Sequence, residues 1–314
     1  MKLAVLCSGQ GAQGPHMFAL TESAEPAQHV FAAATRALQG ADPRSVVRSR
    51  PRDELYGNLQ GQVLCCTQAL AAWSCLALPD DLEVLIAGYS AGELAAWGCA
   101  GLLGPEAVFD IVAVRARLMD RDAGERTGLV ALVGIKLADA TRIAAVHGAF
   151  VAIILAGDSC VVGGERLALQ EVCNEAQEAG AVRASMLPVA VASHTPFLKQ
   201  ASEDFARYLV GLQRAPIAIQ RRLLSGVDGD FVTDGATGLV KLAAQMSSPI
   251  DWAACLTACR EAGVDTVLEL GPGRTLAHNA REALPHARVR SFDEFHSLTG
   301  VQDWLRERLD ASRR

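Results

Sequence analysis

The chain has 314 residues, of which 50% are hydrophobic, and this is enough apolar material for one large core or for one core with a smaller domain. Its formal net charge of −6 argues against a nucleic-acid-binding protein, which needs a basic face. No window reaches the roughly 18 apolar residues of a membrane span, and the apolar run in residues 1–7 is too short for a signal peptide, so we expect a cytoplasmic protein.

Short apolar runs closed by glycines predict buried strands, and apolar residues with helical spacing predict the helices between them. In the first part of the chain the predicted elements are a strand at 2–8, helices at 27–38 and 62–78, a strand at 82–87, a helix at 93–102 and a helix that begins at Pro105. Near the C-terminus a strand at 264–269 leads into Gly271-Pro272-Gly273. This alternation is typical of an α/β fold with a parallel sheet.

The stretch 128–192 has a different order of elements. Strands are predicted at 129–135, 150–155, 159–162 and 183–191, with helices at 138–147 and 167–178. This βαββαβ order is that of the ferredoxin-like arrangement. The sequence therefore predicts a hydrolase-like large α/β subdomain with a parallel sheet, formed by residues 1–127 and 193–314, and an inserted ferredoxin-like small subdomain at 128–192.

The nine cysteines are scattered, and none belongs to a CxxC pair or to a Cys/His cluster with zinc spacing. They are interpreted as reduced thiols that behave as small buried hydrophobic side chains. We therefore expect no metal site.

Gly88-Tyr89-Ser90-Ala91-Gly92 is a G-x-S-x-G pentapeptide between a predicted buried strand and a predicted helix. This is the context that a nucleophile elbow requires, because the glycines permit a sharp turn that exposes the serine hydroxyl. The main-chain N–H of Ala91, at the start of the helix, can help to hold an oxyanion. A chance pentapeptide in a chain rich in Gly and Ala is the alternative, but strand, elbow and small-residue helix together favour Ser90 as a nucleophile.

A serine nucleophile needs a base, and seven histidines are candidates. His194 follows the predicted strand at 183–191, where a side chain can face a cleft, whereas the other six lie on helical or surface-like segments. Taken alone, His194 would be interpreted as a capping or surface residue. Its position after the strand makes it the candidate base.

Residues 9–14, Gly-Gln-Gly-Ala-Gln-Gly, match the G-x-G-x-x-G pattern of dinucleotide-binding proteins. Pro15 and Pro26 interrupt the helix that such a site needs, and no second strand ends in an acidic residue about 20 positions further on. We favour a glycine turn that brings main-chain N–H groups close to a reacting oxygen. A non-catalytic dinucleotide-binding module remains a rival hypothesis at this point.

Arg115 lies on a mainly apolar predicted helix. A lone arginine in such a helix usually extends to solvent or pairs with a carboxylate of the protein. The alternative is that its fork of donors binds a substrate carboxylate. Spacing alone does not decide between these two interpretations.

Six segments together resemble the malonyl-CoA:acyl-carrier-protein transacylases, including the acyltransferase domains of fatty-acid and polyketide synthases. They occur in the family's order and span nearly the whole chain: Gly-Gln-Gly-Ala-Gln at 9–13, the Ser90 pentapeptide at 88–92, Val-Arg-Ala-Arg at 114–117, Val-Ala-Ser-His at 191–194, Ser-Pro-Ile-Asp-Trp at 248–252 and Glu-Leu-Gly-Pro-Gly at 269–273. The inserted ferredoxin-like subdomain also belongs to this family.

The resemblance implies a role for each candidate residue. Ser90 would attack the thioester, and His194 would take its proton. The main-chain N–H groups of Gln10 and Ala91 would form the oxyanion hole, and Arg115 would bind the malonyl carboxylate. Acyl transfer of this kind needs neither a metal nor a redox cofactor.

The resemblance also implies a dyad without an acidic third member, in which a main-chain carbonyl around residues 250–251 orients the histidine. The chain departs from the family at three places. Tyr89 stands where His is usual, Ser8 stands where Pro is common, and Ile153 and Leu155 replace an Asn-x-Asn pair of the cleft wall.

Within the family the chain most resembles the malonyltransferase (epsilon) subunit of bacterial malonate decarboxylase, through residues 62–70, the short N-terminal region and Tyr89. The implied partners are malonyl-CoA and an acyl-carrier protein, here the decarboxylase carrier subunit. A transacylase of fatty-acid or polyketide synthesis, with its own carrier, is the alternative.

A serine hydrolase of the α/β type is the alternative of another class. Such an enzyme usually has an Asp or Glu between the serine and the histidine in chain order. Asp110, Asp139 and Asp158 are available, but none follows a predicted strand in a convincing way.

Overall fold

The computed structural model describes residues 1–124 and 126–312. Within them lie ten strands: β1 (Leu3–Cys7), β2 (Val84–Gly88), β3 (Thr127–Val133), β4 (Phe150–Leu155), β5 (Ser159–Glu165), β6 (Arg183–Met186), β7 (Arg221–Leu223), β8 (Ile250–Asp251), β9 (Thr266–Glu269) and β10 (Arg288–Ser291).

The same residues form thirteen α-helices and three short 3₁₀ turns. The helices are α1 (Gln28–Ala37), α2 (Pro43–Ser49), α3 (Arg52–Leu55), α4 (Asn58–Ser74), α5 (Gly92–Cys99), α6 (Pro105–Asp122), α7 (Leu137–Val146), α8 (Arg166–Glu178), α9 (Lys199–Leu209), α10 (Gly235–Ala244), α11 (Trp252–Glu261), α12 (Thr275–Ala283) and α13 (Leu298–Ser312). The 3₁₀ turns are Glu25–Ala27, Pro196–Leu198 and Phe292–Glu294.

The first sheet is parallel throughout, with the strand order β10-β9-β1-β2-β7. Both faces of such a sheet are covered, so its central strand reads as a continuous apolar run, and all five residues of β1 are buried. Its side chains alternate between two cores. Leu3 and Val5 pack with α1, α4, α5 and α6, whereas Ala4 and Leu6 pack with α11 and α12.

The second sheet has the order β6-β3-β5-β4-β8, and its first four strands pair antiparallel with one another. With α7 and α8 packed on β3–β6, this unit has the predicted βαββαβ order. The α/β fold with a parallel sheet and a ferredoxin-like smaller sheet is therefore confirmed. The boundaries at residues 128 and 192 stay a prediction; the strands nearest to them begin at Thr127 and end at Met186.

The second sheet is completed by β8, which comes from the C-terminal half of the chain and pairs in parallel with β4. In this pairing Ile153 lies opposite Ile250 and Ile154 lies opposite Asp251. A single apolar core also contains Leu6 of the first sheet and Ile153 of the second. The two sheets therefore share one apolar core, and a strand from the C-terminal half of the chain is hydrogen-bonded to the edge of the second sheet.

Candidate active site

A sharp turn connects β2 to α5 and carries Ser90 at its tip. Ser90 has a φ of 56°, a left-handed conformation that a non-glycine residue rarely adopts. A Cβ atom on Gly88 would lie 2.2 Å from Cα of Glu93, and one on Gly92 would lie 2.1 Å from the carbonyl oxygen of Cys7. Both glycines are therefore required by close packing of the turn against β1 and α5, as the elbow pattern predicts.

His194 faces this turn. Its Nε2 lies 2.8 Å from Oγ of Ser90, and its Nδ1 lies 2.6 Å from the main-chain oxygen of Gln245. Because a carbonyl can only accept, Nδ1 carries the ring hydrogen, which leaves the Nε2 lone pair to accept the hydrogen bond from the Ser90 hydroxyl. The main-chain N–H of His194 donates to the oxygen of Met246 at 2.9 Å and fixes the backbone beside the ring.

The carbonyl that orients His194 belongs to Gln245, so the expectation that it lies around residues 250–251 was wrong. The physical reason is the position of Gln245 as the C-cap of α10, where main-chain carbonyls have no partner within the helix. Residues 250–251 instead form β8 and pair with the second sheet. The negative end of the helix dipole also favours the imidazolium that a general base forms transiently.

The pKa of His194 is lowered to about 3, mainly because the ring is buried and further because the charge of Arg115 is near. The hydrogen bond to Gln245 opposes this shift but does not offset it. The ring is consequently neutral at physiological pH, which is the state that can accept a proton from a hydroxyl.

A cavity of about 300 Å³ opens at Ser90 and His194. Its polar lining includes Ser8, Gln10 and Glu269 beside the two residues of the dyad. Such a concave site with a few convergent polar groups is where a substrate is expected to bind.

The opposite wall of the cavity is apolar and is supplied mainly by the second sheet and the segment that follows it. It consists of Leu129, Ala131, Ile153, Leu155, Val161, Leu187 and Val189. Ile153 and Leu155 are the residues that depart from the Asn-x-Asn pair, and both lie in this wall. The departure therefore changes the surface that a substrate would touch.

The two candidate oxyanion donors flank the nucleophile. Gln10 lines the cavity, and Ala91 is the N-cap residue of α5 directly after Ser90. Two buried thiols of α4 are hydrogen-bonded to the main chain of these two segments. Sγ of Cys65 donates to the oxygen of Gly9 at 3.2 Å, and Sγ of Cys66 donates to the oxygen of Ala91 at 3.4 Å. The adjacent cysteines thus have a positional role that the sequence pattern did not reveal.

Arg115 lies on α6 with only 1% of its surface exposed. Its Nη1 donates to Oε1 of Gln62 at 2.7 Å and its Nη2 to Oε1 of Gln245 at 3.3 Å, while Nε has no hydrogen-bond partner in residues 1–124 and 126–312. Burial lowers the pKa of the guanidinium to about 10, so it remains charged at neutral pH. As far as the described residues define it, the cavity wall does not include Arg115.

Sequence reasoning missed two buried residues of this region, Glu93 and Gln245. The side-chain amide of Gln245 bridges Arg115 and Glu93, and its Nε2 also lies 3.5 Å from the oxygen of Ser90. The available signal was weak: Glu93 is the only charged residue in α5, which otherwise consists of small and apolar residues.

Three further features concern the other interpretations of the sequence. No group of three or more His, Cys, Asp or Glu side chains in the described part of the chain could hold a metal ion. None of the helices in that part is both long and apolar enough to cross a membrane. The glycine turn at residues 9–14 leads into further turns rather than directly into a helix, and it borders the cavity that contains Ser90.

Known proteins resemble this chain over nearly its whole length. The family model of the acyl transferase domain matches residues 5–309. A malonyl CoA-acyl carrier protein transacylase of Haemophilus influenzae is 28% identical over 313 residues, which cover 97% of this chain and 99% of that protein.

Solved structures show the same likeness. An acyl-carrier-protein S-malonyltransferase from Burkholderia pseudomallei has a TM-score of 0.88 and 26% identity, covering 96% of this chain and 100% of that one. A malonyl-transacylase solved with a type II polyketide acyl-carrier protein has a TM-score of 0.89 and 25% identity, covering 96% of this chain and 99% of that one.

Proposed function

We propose that this chain, which belongs to the acyl transferase domain family, transfers a malonyl group from malonyl-CoA to the thiol of an acyl-carrier protein. The malonyl group is carried as an ester on Ser90 between the two steps. The observation that carries the proposal is the 2.8 Å hydrogen bond between Oγ of Ser90 and Nε2 of His194 beside the cavity. The choice of a malonyl group and of an acyl-carrier protein as acceptor is inferred from the names of the relatives.

The first half of the reaction forms the malonyl ester. His194 accepts the proton of the Ser90 hydroxyl at Nε2 as the oxygen attacks the thioester carbonyl. The carbonyl oxygen becomes an oxyanion held by the N–H groups of Gln10 and Ala91. When the C–S bond breaks, the imidazolium returns the proton to the CoA sulfur.

The second half repeats these steps with the carrier thiol. His194 takes the thiol proton, the sulfur attacks the ester carbonyl, and the proton returns to Oγ of Ser90 as the C–O bond breaks. The apolar cavity wall around Leu129 and Leu155 excludes water from the ester while the enzyme waits for the carrier.

Arg115 is the proposed partner of the malonyl carboxylate. Its Nε and Nη2 form one edge of the guanidinium, and this edge has one unpartnered atom and the longer of the two hydrogen bonds. A carboxylate that binds there in a bidentate manner displaces the amide oxygen of Gln245. Access from the cavity to Arg115 therefore depends on the side chain of Gln245.

The carrier of fatty-acid or polyketide synthesis fits the comparisons better, because the relatives described above are named for transfer to an acyl-carrier protein and one was solved with a type II polyketide carrier. The epsilon subunit of malonate decarboxylase is the second candidate. It rests on the resemblance at residues 62–70 and at Tyr89, which lines the cavity and packs edge-on against Trp252. A cytoplasmic location is part of both proposals, and the nine cysteines, all in the described residues, are free thiols.

Intact-protein mass spectrometry after treatment with malonyl-CoA tests the proposal. We expect a mass gain of one malonyl group, stable in the absence of a carrier and lost when a carrier with its prosthetic thiol is added. Rapid release of free malonate without a carrier would instead indicate a serine hydrolase. The second-order rates with fatty-acid, polyketide and decarboxylase carriers, measured at equal thiol concentration, identify the acceptor.

A further inference from the structure

Gln245 is a junction between the candidate base and the buried cation. Its main-chain oxygen accepts the 2.6 Å hydrogen bond from Nδ1 of His194, and its side-chain Oε1 accepts from Nη2 of Arg115 at 3.3 Å. A displacement of Gln245 therefore moves two atoms together: the main-chain oxygen that accepts from His194 and the side-chain oxygen that accepts from Arg115.

Glu93 determines how the Gln245 side chain is oriented. Its Oε2 accepts hydrogen bonds from Nε2 of Gln245 and, at 3.1 Å, from the main-chain N–H of Gly226. Because a carboxylate can only accept, it holds the amide nitrogen of Gln245 on its own side and leaves the amide oxygen for Arg115. Glu93 and Gln245 are 1% and 0% exposed, so water does not replace this contact.

We infer that Glu93 is a positioning residue, which acts through the Gln245 amide to hold His194 in register with Ser90 and to supply the counter-charge of Arg115. The inference rests on the proposed malonyl transfer and deepens it. Glu93 does not touch the substrate in this scheme, and its effect reaches the reaction only through Gln245.

The counter-charge role follows from what surrounds Arg115. Both residues that accept its hydrogen bonds, Gln62 and Gln245, are neutral amides, and Glu93 lies directly behind Gln245. The pKa of Glu93 is raised to about 7, mainly by burial and further by Asp228, while Gly226, Gln245 and Arg115 act in the opposite direction. Cys255 of α11 also lies near enough to interact electrostatically with Glu93. Above neutral pH the carboxylate is ionised and competes with a malonyl carboxylate for Arg115.

Two substitutions separate the hydrogen-bonding role from the charge. Glu93→Gln keeps an oxygen that can accept from Gln245 and Gly226 but removes the charge, whereas Glu93→Ala removes both. The acylation rate of Ser90 at saturation and the KM are measured at about pH 8 with malonyl-CoA and with acetyl-CoA.

We expect Glu93→Ala to lower the saturated acylation rate about tenfold with both thioesters, since a buried amide loses its acceptor and the oxygen that orients His194 shifts. Glu93→Gln should restore this rate to within about threefold of the wild-type rate. In Glu93→Gln the KM for malonyl-CoA should fall while that for acetyl-CoA stays constant, because only malonyl-CoA has a carboxylate that competes with Glu93.

Three outcomes overturn the inference. They are wild-type acylation rates in Glu93→Ala, a loss in Glu93→Gln as large as in Glu93→Ala, and KM values for the two thioesters in Glu93→Gln that move together or not at all. A residue that only supports the fold would give the last of these.

A control and a second variant keep the test decisive. Gln68→Met changes another fully buried polar side chain, one whose amide atoms have no partner in the described residues, and should leave both rates unchanged.

If Glu93→Ala does not fold, Gln245→Met takes its place, because it removes the bridging amide but keeps the main-chain oxygen. The same tenfold loss is then expected. If the wild type is not acylated by malonyl-CoA, the proposed function fails; if it is acylated and the variants behave as Gln68→Met, only this inference fails.

Discussion

Ser8 donates a 2.7 Å hydrogen bond to Oε1 of Glu269, and thereby connects the C-terminal ends of two neighbouring parallel strands. The same carboxylate accepts from the main-chain N–H groups of Leu276 and Ala277, at 3.2 and 2.7 Å, in the first turn of α12. Burial raises the pKa of Glu269 to about 7, while these hydrogen bonds act to lower it. The loop that carries Gln10 is thus tied to a helix through one buried carboxylate.

The first prediction concerns this contact. An unfolded glutamate titrates near about pH 4.3, so the raised pKa of Glu269 stabilises the fold below that pH, and this contribution is lost as the pH rises through about 7. Ser8→Ala removes a hydrogen bond that the ionised form accepts and raises the pKa further. We expect the free energy of unfolding to fall by about 1–3 kcal/mol at about pH 8, and by less at about pH 5, in urea titrations.

Ser202→Ala is the matched control for this experiment. The Ser202 hydroxyl is also buried, but it donates to the neutral main-chain oxygen of Ala243 at 2.8 Å. Its loss should therefore be equal at both pH values. A loss in Ser8→Ala that is also independent of pH would mean that Glu269 is not the group that responds.

The second prediction concerns the dyad. Ser90→Ala should abolish labelling by malonyl-CoA, and His194→Ala should lower the labelling rate at least about a thousandfold, because nucleophile and base act as a unit. Labelling is followed by intact-protein mass spectrometry. Ser49→Ala and His147→Ala, at positions outside the cavity lining, serve as controls. Undiminished labelling of Ser90→Ala would show that another residue carries the acyl group.

The third prediction concerns Arg115. Arg115→Ala should slow malonyl transfer by an amount equivalent to roughly 2–5 kcal/mol, the usual range for a lost buried charge contact, while acetyl transfer is unchanged or faster. Acetyl lacks the carboxylate, so it loses no contact. Steady-state rates with both thioesters give the answer.

Arg221→Ala is a suitable comparison for this experiment. Arg221 is half-buried and donates to main-chain oxygens far from the dyad, with its guanidinium over the ring of Trp73. Its removal should affect both thioesters to the same extent. An equal loss of malonyl and acetyl transfer in Arg115→Ala would identify Arg115 as a structural residue.

The fourth prediction concerns pH. Because burial and the charge of Arg115 lower the pKa of His194 to about 3, the base stays neutral throughout the physiological range. The single-turnover acylation rate should therefore show no decline attributable to His194 between about pH 8 and pH 5, and should fall only as the pH approaches the pKa. Rapid pH-jump acylation measures this profile.

Glu93→Gln provides the control for that profile, since it removes the nearby carboxyl whose pKa is about 7. An acidic limb near the ordinary histidine pKa of about 6.5 that persists in Glu93→Gln would contradict the assignment of a buried neutral base.

The parts of the structure that follow periodic patterns could be predicted from the sequence. The strand expected at 150–155 is β4 with the same bounds, and the βαββαβ order follows from short apolar runs and from apolar residues with helical spacing. The strand expected at 183–191 ends at Met186. One further main-chain hydrogen bond joins Leu187 to the oxygen of Leu129, and beyond it Val189 lines the cavity beside Leu187. Apolar periodicity does not distinguish a strand from a segment that lines a cleft.

The site was predictable only where a motif fixes the geometry. The Ser90 elbow has a local pattern, because the glycines are needed within five residues of each other. The oxygen of Gln245 that orients His194 could not be found in this way, since any residue supplies a main-chain carbonyl and the two residues are 51 positions apart. Glu93 was missed for the same reason: its importance depends on contacts with distant Gln245 and Gly226.

The pairing of β4 with β8 has a consequence for how a substrate enters. Two parts of a protein that face each other across a cleft can move apart only if the segment that connects them can bend. Here β8 is hydrogen-bonded to β4, and residues of both sheets share one apolar core. We therefore expect a cleft of nearly constant width, which a thin prosthetic arm enters lengthwise from its open end. A bulky carrier body would stay outside the cleft, and only its thiol-bearing arm would reach Ser90.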